Sequence, residues 1–389
     1  MLAGEFFKAW LLAPAPGSQQ SVAVEWSYFF HNYIWFFRIG GLLLMLPFFM
    51  YVYPKKRWWS KILFFLPFLL YGFVYYEGNY DMFAEEMFSN MDNKQMKDTK
   101  SNAVLHTKLV LGVEINGETR AYPVEIIGYH HQVYDTVGGW PVIITYCTVC
   151  RSGRVYKNPL YNGKPEKFRL VGMDMFNAMF EDESTGSWWQ QATGECIIGP
   201  RKGQRLTEVF SQQMSLAQWL SEHPNTLVLQ PDKNFQADYD DLKGFDEGTI
   251  KSSLEGRNFA SWQFKSWIVG VLADGKSYAV DWNNLQKKKF IKHDDFIVVA
   301  LDDGVNFKAF STLIFGLDLG RNIITPPVKT DLSWDQKTNQ FTDEKSGARF
   351  NLIGTCLDSL CQSNLRQLPA YQEFYHSWTT FHPGTIEVR

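Results

Sequence analysis

The stretch LGVEINGETRAYPV, residues 111–124, consists of two strand-like runs on either side of Asn116-Gly117. An Asn-Gly pair in that position is typical of a two-residue β-hairpin turn. A similar stretch, VGVLADGKSYAV, occupies residues 269–280 and carries Asp274-Gly275 at the matching place. The sequence therefore predicts a β-hairpin at each position and suggests that a larger unit is repeated.

Three further pairs of motifs recur in the same order, at a spacing of about 160 residues, which indicates an internal duplication. They are DESTG (182–186) with DEKSG (343–347), Gly194-Glu-Cys196 with Gly354-Thr-Cys356, and Trp219-x-x-x-His223-Pro-x-Thr226 with Trp378-x-x-x-His382-Pro-x-Thr385. The stretches SLAQWLSEHP and AYQEFYHSWTTFHP predict short helices that end at His-Pro. We therefore expect an α+β fold with two duplicated, mainly antiparallel β units and short helices.

Two apolar runs near the N-terminus predict a transmembrane hairpin. They read IWFFRIGGLLLMLPFFMYVY (34–53) and ILFFLPFLLYGFVYY (62–76). With the flanking Trp58, Trp59 and Lys61, the second run also reaches the roughly 20 residues that span a bilayer. We expect helices at about 34–53 and 58–77; the alternative is two buried core helices. Arg38 lies early in the first run, where its side chain is expected to snorkel to the headgroups, with a functional ion pair as the alternative.

The charges around the hairpin predict its orientation. The connecting loop PKKRWWSK, residues 54–61, is basic, and the far flanks carry Glu25, Glu77, Asp81, Glu85 and Glu86. The positive-inside rule then places the loop in the cytoplasm and both termini outside. The expected location is the bacterial inner (cytoplasmic) membrane, with two spans and the large C-terminal region on the extracytoplasmic, periplasmic side. The first 27 residues lack a basic n-region, so no signal peptide is predicted.

These observations divide the chain into four parts. Residues 1–77 hold the N-terminal segment and hairpin, and residues 78–103 form a juxtamembrane linker. Residues 104–235 are the first extracytoplasmic repeat, and residues 236–389 are the second, degenerate repeat.

Composition narrows the class of partner. The net charge is −3 and charged residues make up 20% of the chain, so a nucleic-acid partner is not expected. The lipid bilayer is an expected partner. Neither a phosphate loop nor a dinucleotide glycine pattern occurs, so no nucleotide cofactor is expected. A Ser-His-Asp elbow is also missing, and whether the protein is an enzyme stays open. Cys356 and Cys361 could form a disulfide, which an outward location permits; the alternative is that Cys356, like Cys196 at the matching place, is buried as a small apolar residue.

The strongest sign of chemistry is ITYCTVCRSGRVY, residues 144–156, in which Cys147 and Cys150 form a C-x-x-C pair. The second half offers VALDDGVNFKAF at the matching place, so a role limited to holding the fold is disfavoured. His130 and His131 precede the pair by one turn and one strand. Two thiolates and an imidazole suit copper or zinc, and the predicted metal ligands are Cys147, Cys150, His130 and His131.

Copper is favoured over zinc because the compartment is exposed and the ligands are soft. Three methionines, Met173, Met175 and Met179, would share one face if residues 171–180 form one extended segment. Thioether ligation of copper by these residues is an alternative to core packing.

Two other functions remain open. The first is thiol–disulfide exchange, which requires a reactive, low-pKa cysteine. The second is a non-catalytic accessory subunit, whose hairpin docks with other subunits of a membrane complex while the C-x-x-C pair braces a turn.

The first half resembles domain-of-unknown-function family 3179, an uncharacterised prokaryotic family. The resemblance rests on a set of motifs over about residues 110–230 and recurs degenerately to the end. The motifs are Arg120-Ala-Tyr-Pro123, His130 to Asp135, Thr145-Tyr-Cys-Thr-Val-Cys-Arg-Ser-Gly153, Ser184-Thr-Gly-Ser-Trp-Trp-Gln-Gln-Ala-Thr-Gly-Glu195, and Trp219 to Thr226. The resemblance implies a shared fold and a shared Cys/His site, but it supplies no reaction.

This chain departs from the family pattern at three places. His131 stands where the family usually has Glu, Tyr134 replaces Asn, and Thr148-Val149 replaces Pro-Leu. A Glu-dependent acid–base role is therefore not implied for this chain.

Overall fold

The computed structural model describes residues 1–389 apart from residues 16, 21, 82, 83, 92, 315, 316, 319–322, 325, 326 and 362. Two compact units are formed from discontinuous segments. Unit 1 comprises Met1–Met91, Tyr129–Val133 and Tyr156–Thr207, and unit 2 comprises Asp92–Gly128, Tyr134–Val155 and Glu208–Arg389. The α-helices are Leu2–Trp10, Ala23–Pro47, Trp58–Tyr76, Ala84–Met87, Val124–His130, Leu216–Glu222, Gln236–Asp241, Trp282–Lys288 and Tyr375–Phe381. These units group the residues differently from the four consecutive parts predicted from the sequence. The division into a first and a second repeat stays a prediction.

Unit 1 contains the two long apolar helices. Ala23–Pro47 continues through the helical turns Phe48–Val52 and Tyr53–Lys55, and Trp58–Tyr76 continues through Glu77–Asp81. Both helices are long and apolar enough to cross a membrane. Their apolar side chains are mostly exposed, for example Leu44 at 82% and Leu69 at 70%. The predicted pair of helices is confirmed, and they are not core helices of this chain.

Arg38 does not snorkel; it forms an ion pair inside unit 1. Its Nε lies 2.6 Å from Oε1 of Glu5, a residue with no exposed surface. Tyr71 and Asn79 also donate to the Glu5 carboxylate. The ion pair, which was the alternative prediction, forms because the short helix Leu2–Trp10 packs against the first long helix and brings a carboxylate to the guanidinium. A desolvated charge needs such a partner.

The main sheet of unit 1 is antiparallel and four-stranded, in the order Cys196–Ile198, Trp188–Gln190, Asn177–Asp182, Phe168–Asp174. Residues 171–180 form a hairpin and not one extended segment, because Met175 and Phe176 adopt φ angles of +49° and +65° and reverse the chain. Met179 packs in an apolar cluster with Leu12 and Trp188. Core packing therefore accounts for Met179, and the predicted methionine face does not form. A two-stranded ribbon joins Leu160–Tyr161 to Lys164–Pro165.

Unit 2 contains two sheets with the same pattern. The first has the order Met96–Lys97, Leu227–Leu229, Glu118–Pro123, Leu109–Ile115, Ser211–Ser215, and the second Ala370–Phe374, Trp267–Ala273, Lys276–Asp281, Ile386–Val388. In each sheet the central hairpin has an antiparallel neighbour on one side and a parallel neighbour on the other.

The other sheets have four strands or fewer. They are Glu208–Val209, Ser152–Lys157, Trp140–Cys147, Gln132–Val137; Phe290–Lys292, Phe296–Ala300, Phe307–Ser311; Leu332–Asp335, Gln340–Asp343, Arg349–Asn351; and the pairs Leu313–Ile314 with Val328–Lys329 and Leu317–Asp318 with Ile323–Ile324. The α+β class and its mainly antiparallel pairing are confirmed.

The two predicted hairpin turns are present. Asn116 and Gly117 have φ angles of +50° and +78°, and Asp274 and Gly275 have +47° and +72°. Positive φ at both central residues is what a type I′ turn requires, and Gly or Asn accepts it at low cost. The predicted helices before His-Pro are also present, with His223 and His382 as their C-caps, although residues 370–374 form a strand.

A glycine–tryptophan contact recurs behind each hairpin. A Cβ atom built on Gly112 would lie 2.3 Å from the Trp219 ring, and one built on Gly270 would lie 2.3 Å from the Trp378 ring. The indole of each helix therefore packs directly against the backbone of a strand glycine, and this contact holds the helix against the sheet.

We expect Gly270→Ala to destabilise the protein by about 1–3 kcal/mol, because the added methyl group overpacks against a buried indole. The measurement is thermal unfolding of the detergent-solubilised chain, followed by tryptophan fluorescence. Gly72→Ala is the matched control, since its added methyl group meets no atom within 4 Å. Equal melting temperatures for the two variants would contradict this packing.

Candidate functional site

The C-x-x-C pair lies in a tight turn of unit 2. Strand Trp140–Cys147 ends at the first cysteine, and strand Ser152–Lys157 follows the second. The turn closes with a hydrogen bond from the Arg151 amide to the Thr148 carbonyl, and Arg151 adopts φ +55°. Cys147 is 1% exposed and Cys150 has no exposed surface. Both are reduced thiols that are hydrogen-bond partners of each other.

An imidazole that the sequence analysis did not select lies beside these thiols. His376 is the second residue of the helix Tyr375–Phe381, and it is 7% exposed. Its Nδ1 lies 2.7 Å from the carbonyl oxygen of Phe264. A carbonyl only accepts hydrogen bonds, so Nδ1 carries the proton and Nε2 carries the lone pair. The imidazole also stacks on the Phe264 ring, at 4.0 Å between centroids and 12° between planes.

The His376 imidazole lies within hydrogen-bonding reach of the Cys150 thiol, but its buried Nε2 has no partner at good geometry within the residues that the structure describes. The imidazole is close enough to Cys150 to lower the pKa of that thiol. Nevertheless, no group in the described part of the chain makes a hydrogen bond of good geometry with Nε2. The site therefore presents two thiols and one imidazole lone pair in a buried setting. Such an acceptor normally finds a partner.

Lys265 brings a positive charge to the same place. Its Nζ donates to the Val149 and Leu254 carbonyl oxygens, at 2.5 Å each. Burial lowers the pKa of Lys265, and the two cysteines oppose that shift. The ammonium group therefore lies where it would stabilise thiolate charge.

Burial dominates the behaviour of the thiols themselves. It raises the pKa of Cys150 well above its ordinary value, and the neighbouring Cys147 raises it further. A thiolate therefore needs a nearby cation to form here. This environment differs from that of exchange cysteines, which are partly exposed and acidic.

A buried ion pair anchors the strand that leads to His376. Arg154 Nη2 lies 2.5 Å from Oε1 of Glu373, and each side chain is 1% exposed. The guanidinium also lies 3.8 Å from the centroid of the Tyr371 ring. Next to this pair, the Phe374 amide donates to the Cys150 carbonyl at 3.1 Å. The turn and the helix start are thus held together by desolvated contacts.

A related contact, to a side chain and not to a backbone carbonyl, precedes the other His-Pro helix. The Ser215 amide, just before the helix Leu216–Glu222, donates to Oδ1 of Asn306 at 2.7 Å. Asn306 Nδ2 in turn donates to Ser215 and Asp303. That copy is a hydrogen-bonded polar network, whereas the other copy holds two thiols and an imidazole.

His130 and His131 belong to unit 1, whereas the cysteines belong to unit 2. Within unit 1, Nδ1 of His130 lies 2.5 Å from the Ser89 carbonyl oxygen. The ring of His131 packs on Phe88, at 4.4 Å between centroids, and its φ is +57°. Metal ligation by either histidine stays a prediction.

Cys356 and Cys361 form a disulfide, with 6.0 Å between their Cα atoms, which confirms the first of the two predicted alternatives. With Asp358 they form the one group of three His, Cys, Asp or Glu ligand atoms that all lie within 4.8 Å of one another among the described residues. Cys147 and Cys150 do not belong to such a group. The two Sγ atoms and a ring nitrogen of His376 therefore do not all lie within 4.8 Å of one another.

Sequence reasoning missed His376 and Lys265 because they lie more than 100 residues from the C-x-x-C pair. One sign of His376 was available. Aligning the two Trp-x-x-x-His-Pro motifs places Ala217 opposite His376. Like the C-x-x-C pair, His376 is a reactive residue present in one copy only.

A family model described as "Protein of unknown function (DUF3179)" matches residues 88–385. The match begins after the two apolar helices and includes both halves, the cysteine turn and His376. No curated protein and no solved structure matches the chain.

Asp246 supplies a pH test of this region, because burial raises its pKa to about 6 from the ordinary value of 3.8. A raised folded-state pKa means that the folded protein binds more protons than the unfolded chain between those values. The protonated Asp246 carboxyl therefore contributes its full share of the free energy of unfolding below pH 4. That share, about 3 kcal/mol for a pKa difference of about two units, is lost as pH rises through 6.

We expect Asp246→Asn to remove that part of the pH dependence, as measured by denaturant unfolding at pH 4, 5, 6 and 7. Asp240→Asn, at an exposed position of the same unit, is the matched control. An unchanged slope in Asp246→Asn would contradict the buried carboxyl.

Proposed function

The chain belongs to the DUF3179 family, and we propose that it is a membrane-anchored, extracytoplasmic protein that binds a soft transition metal ion, with copper favoured. The proposed ligands are Sγ of Cys147, Sγ of Cys150 and Nε2 of His376. The last replaces His130 as the leading third ligand.

The single observation that carries this proposal is the state of His376. Metal-binding histidines commonly donate one ring N–H to a backbone carbonyl, which directs the other nitrogen at the ion. His376 makes that bond to Phe264 and leaves a buried lone pair next to Cys150. A core histidine would accept a well-formed hydrogen bond at that nitrogen, and the contact between His376 and the Cys150 thiol lacks good geometry.

The softness of the ligands favours copper over zinc. Two thiolates suit Cu(I). The Lys265 ammonium offsets part of their charge, and the Glu255 carboxylate also acts on Lys265. Zinc is the alternative ion.

The burial of the thiols argues against the exchange function. Disulfide exchange requires attack by an accessible thiolate on a second protein. Cys147 and Cys150 are at most 1% exposed. The accessory-subunit function remains compatible with metal binding, since the exposed apolar helices can face either lipid or other subunits.

We also propose that unit 2 contains an internal duplication. The paired sheets, the glycine–tryptophan contacts and the exchanged loop-to-helix contacts support it. The metal site is then assembled from both copies, with the turn from the first and the helix from the second. This explains why neither copy alone carries all three ligands.

The proposed topology places residues 54–61 in the cytoplasm, because Lys55, Lys56 and Arg57 are exposed and basic. The head then lies in the extracytoplasmic space of the bacterial inner membrane. We expect a C-terminal alkaline phosphatase fusion to be active and a C-terminal green fluorescent protein fusion to be dark. An inactive alkaline phosphatase fusion together with a fluorescent green fluorescent protein fusion would contradict this topology.

The test of the metal site is elemental analysis of the natively purified protein, without chelators. We expect about one copper ion per chain in the wild type and none in Cys147→Ser/Cys150→Ser, because both thiolates are lost. His376→Gln should lose most of the copper, since one ligand of three is removed.

His130→Gln is the matched control, as it removes an imidazole from unit 1. Full copper in His130→Gln, with loss in His376→Gln, supports the ligand set proposed here. Loss in His130→Gln alone would restore the earlier ligand set, and full copper in every variant would refute the site.

A further inference from the structure

An open groove of about 680 Å³ runs along residues 250–265 of unit 2, outside the proposed ligand set. The residues that line it are Ile250, Lys251, Ser252, Ser253, Gly256, Arg257, Asn258, Phe259, Phe264 and Lys265. They include three cations and, among the described lining residues, no carboxylate. The groove therefore presents positive charge to solvent.

Arg257 is the residue of the groove whose hydrogen bonding is incomplete. Its Nη2 donates to Oδ1 of Asn283 at 2.8 Å, while its buried Nε forms no hydrogen bond with any residue that the structure describes. The guanidinium lies 4.0 Å from the centroid of the Trp267 ring. Asp281 acts on Arg257 through space, and its buried Oδ1 likewise has no hydrogen-bond partner among the described residues. Arg257 is half-buried and lines the groove.

The walls of the groove are aromatic. Phe259 is 61% exposed and Phe264 is 59% exposed, and Arg257 lies 4.7 Å from the centroid of the Phe259 ring. Ser252, Ser253 and Asn258 add polar groups to the lining. Exposed rings beside unsatisfied positive charge suit a ligand with an anionic head and a flat apolar body.

We propose that this groove binds an organic anion, a carboxylate or a phosphate ester with a planar apolar body. The anionic head is attracted by the Arg257 guanidinium and by Lys251, while the body packs between Phe259 and Phe264. Lys265 contributes charge only, because its Nζ is engaged by two carbonyls. The proposal does not rest on metal binding.

The test is calorimetric titration of the full chain in a neutral detergent at physiological salt. The probes are phenyl phosphate, benzoate, glycerol phosphate and inorganic phosphate. We expect phenyl phosphate and benzoate to bind more tightly than inorganic phosphate. Arg257→Gln should weaken phenyl phosphate binding about tenfold, because a charge-assisted hydrogen bond is lost.

Lys202→Gln is the matched control, since it removes one exposed positive charge from unit 1. Phe259→Ala tests the wall if Arg257→Gln does not fold, and it should also weaken phenyl phosphate binding.

Equal affinity of the wild type and Arg257→Gln for phenyl phosphate would overturn the site, as would no binding of any probe. Glycerol phosphate carries the same anion as a lipid headgroup without a planar body. Binding of glycerol phosphate as tight as that of phenyl phosphate would overturn the assignment of the ligand and point to a headgroup.

Discussion

The hydrogen bond between Nδ1 of His376 and the Phe264 carbonyl is the contact on which the candidate site depends. It fixes the tautomer and aims the second nitrogen into a buried region that already holds two thiols. The stacked Phe264 ring prevents the imidazole from turning away. Burial raises the pKa of the Cys150 thiol, so an imidazole held beside it is the neutral ligand that the two cysteines lack.

The site also depends on how the two halves of unit 2 meet. A loop of each half contacts the residue just before a helix of the other half. The Cys150 carbonyl accepts from the Phe374 amide, and Oδ1 of Asn306 accepts from the Ser215 amide. The Asn306 copy satisfies its polar groups internally, so its contribution is structural. The Cys150 copy leaves an acceptor unsatisfied, and that difference between related contacts is a stronger sign of chemistry than either motif alone.

Local patterns predicted the parts of the fold that local forces determine. The two long apolar helices, the Asn116-Gly117 turn and the Cys356–Cys361 disulfide follow from composition, turn chemistry and spacing. Predictions failed where a distant segment decides the outcome. Glu5 reaches Arg38 from a separate helix, and Met175 starts a turn that alternation does not reveal. His376 joins Cys150 across 226 residues of chain, a contact that no single-sequence pattern encodes.

X-ray absorption of the copper-loaded protein tests the central claim most directly, because it reports the ligand atoms themselves. The account predicts a first shell of two sulfur atoms and one imidazole nitrogen, with the nitrogen lost in His376→Gln and retained in His130→Gln. A shell of sulfur alone, or a nitrogen that survives His376→Gln, would contradict the account.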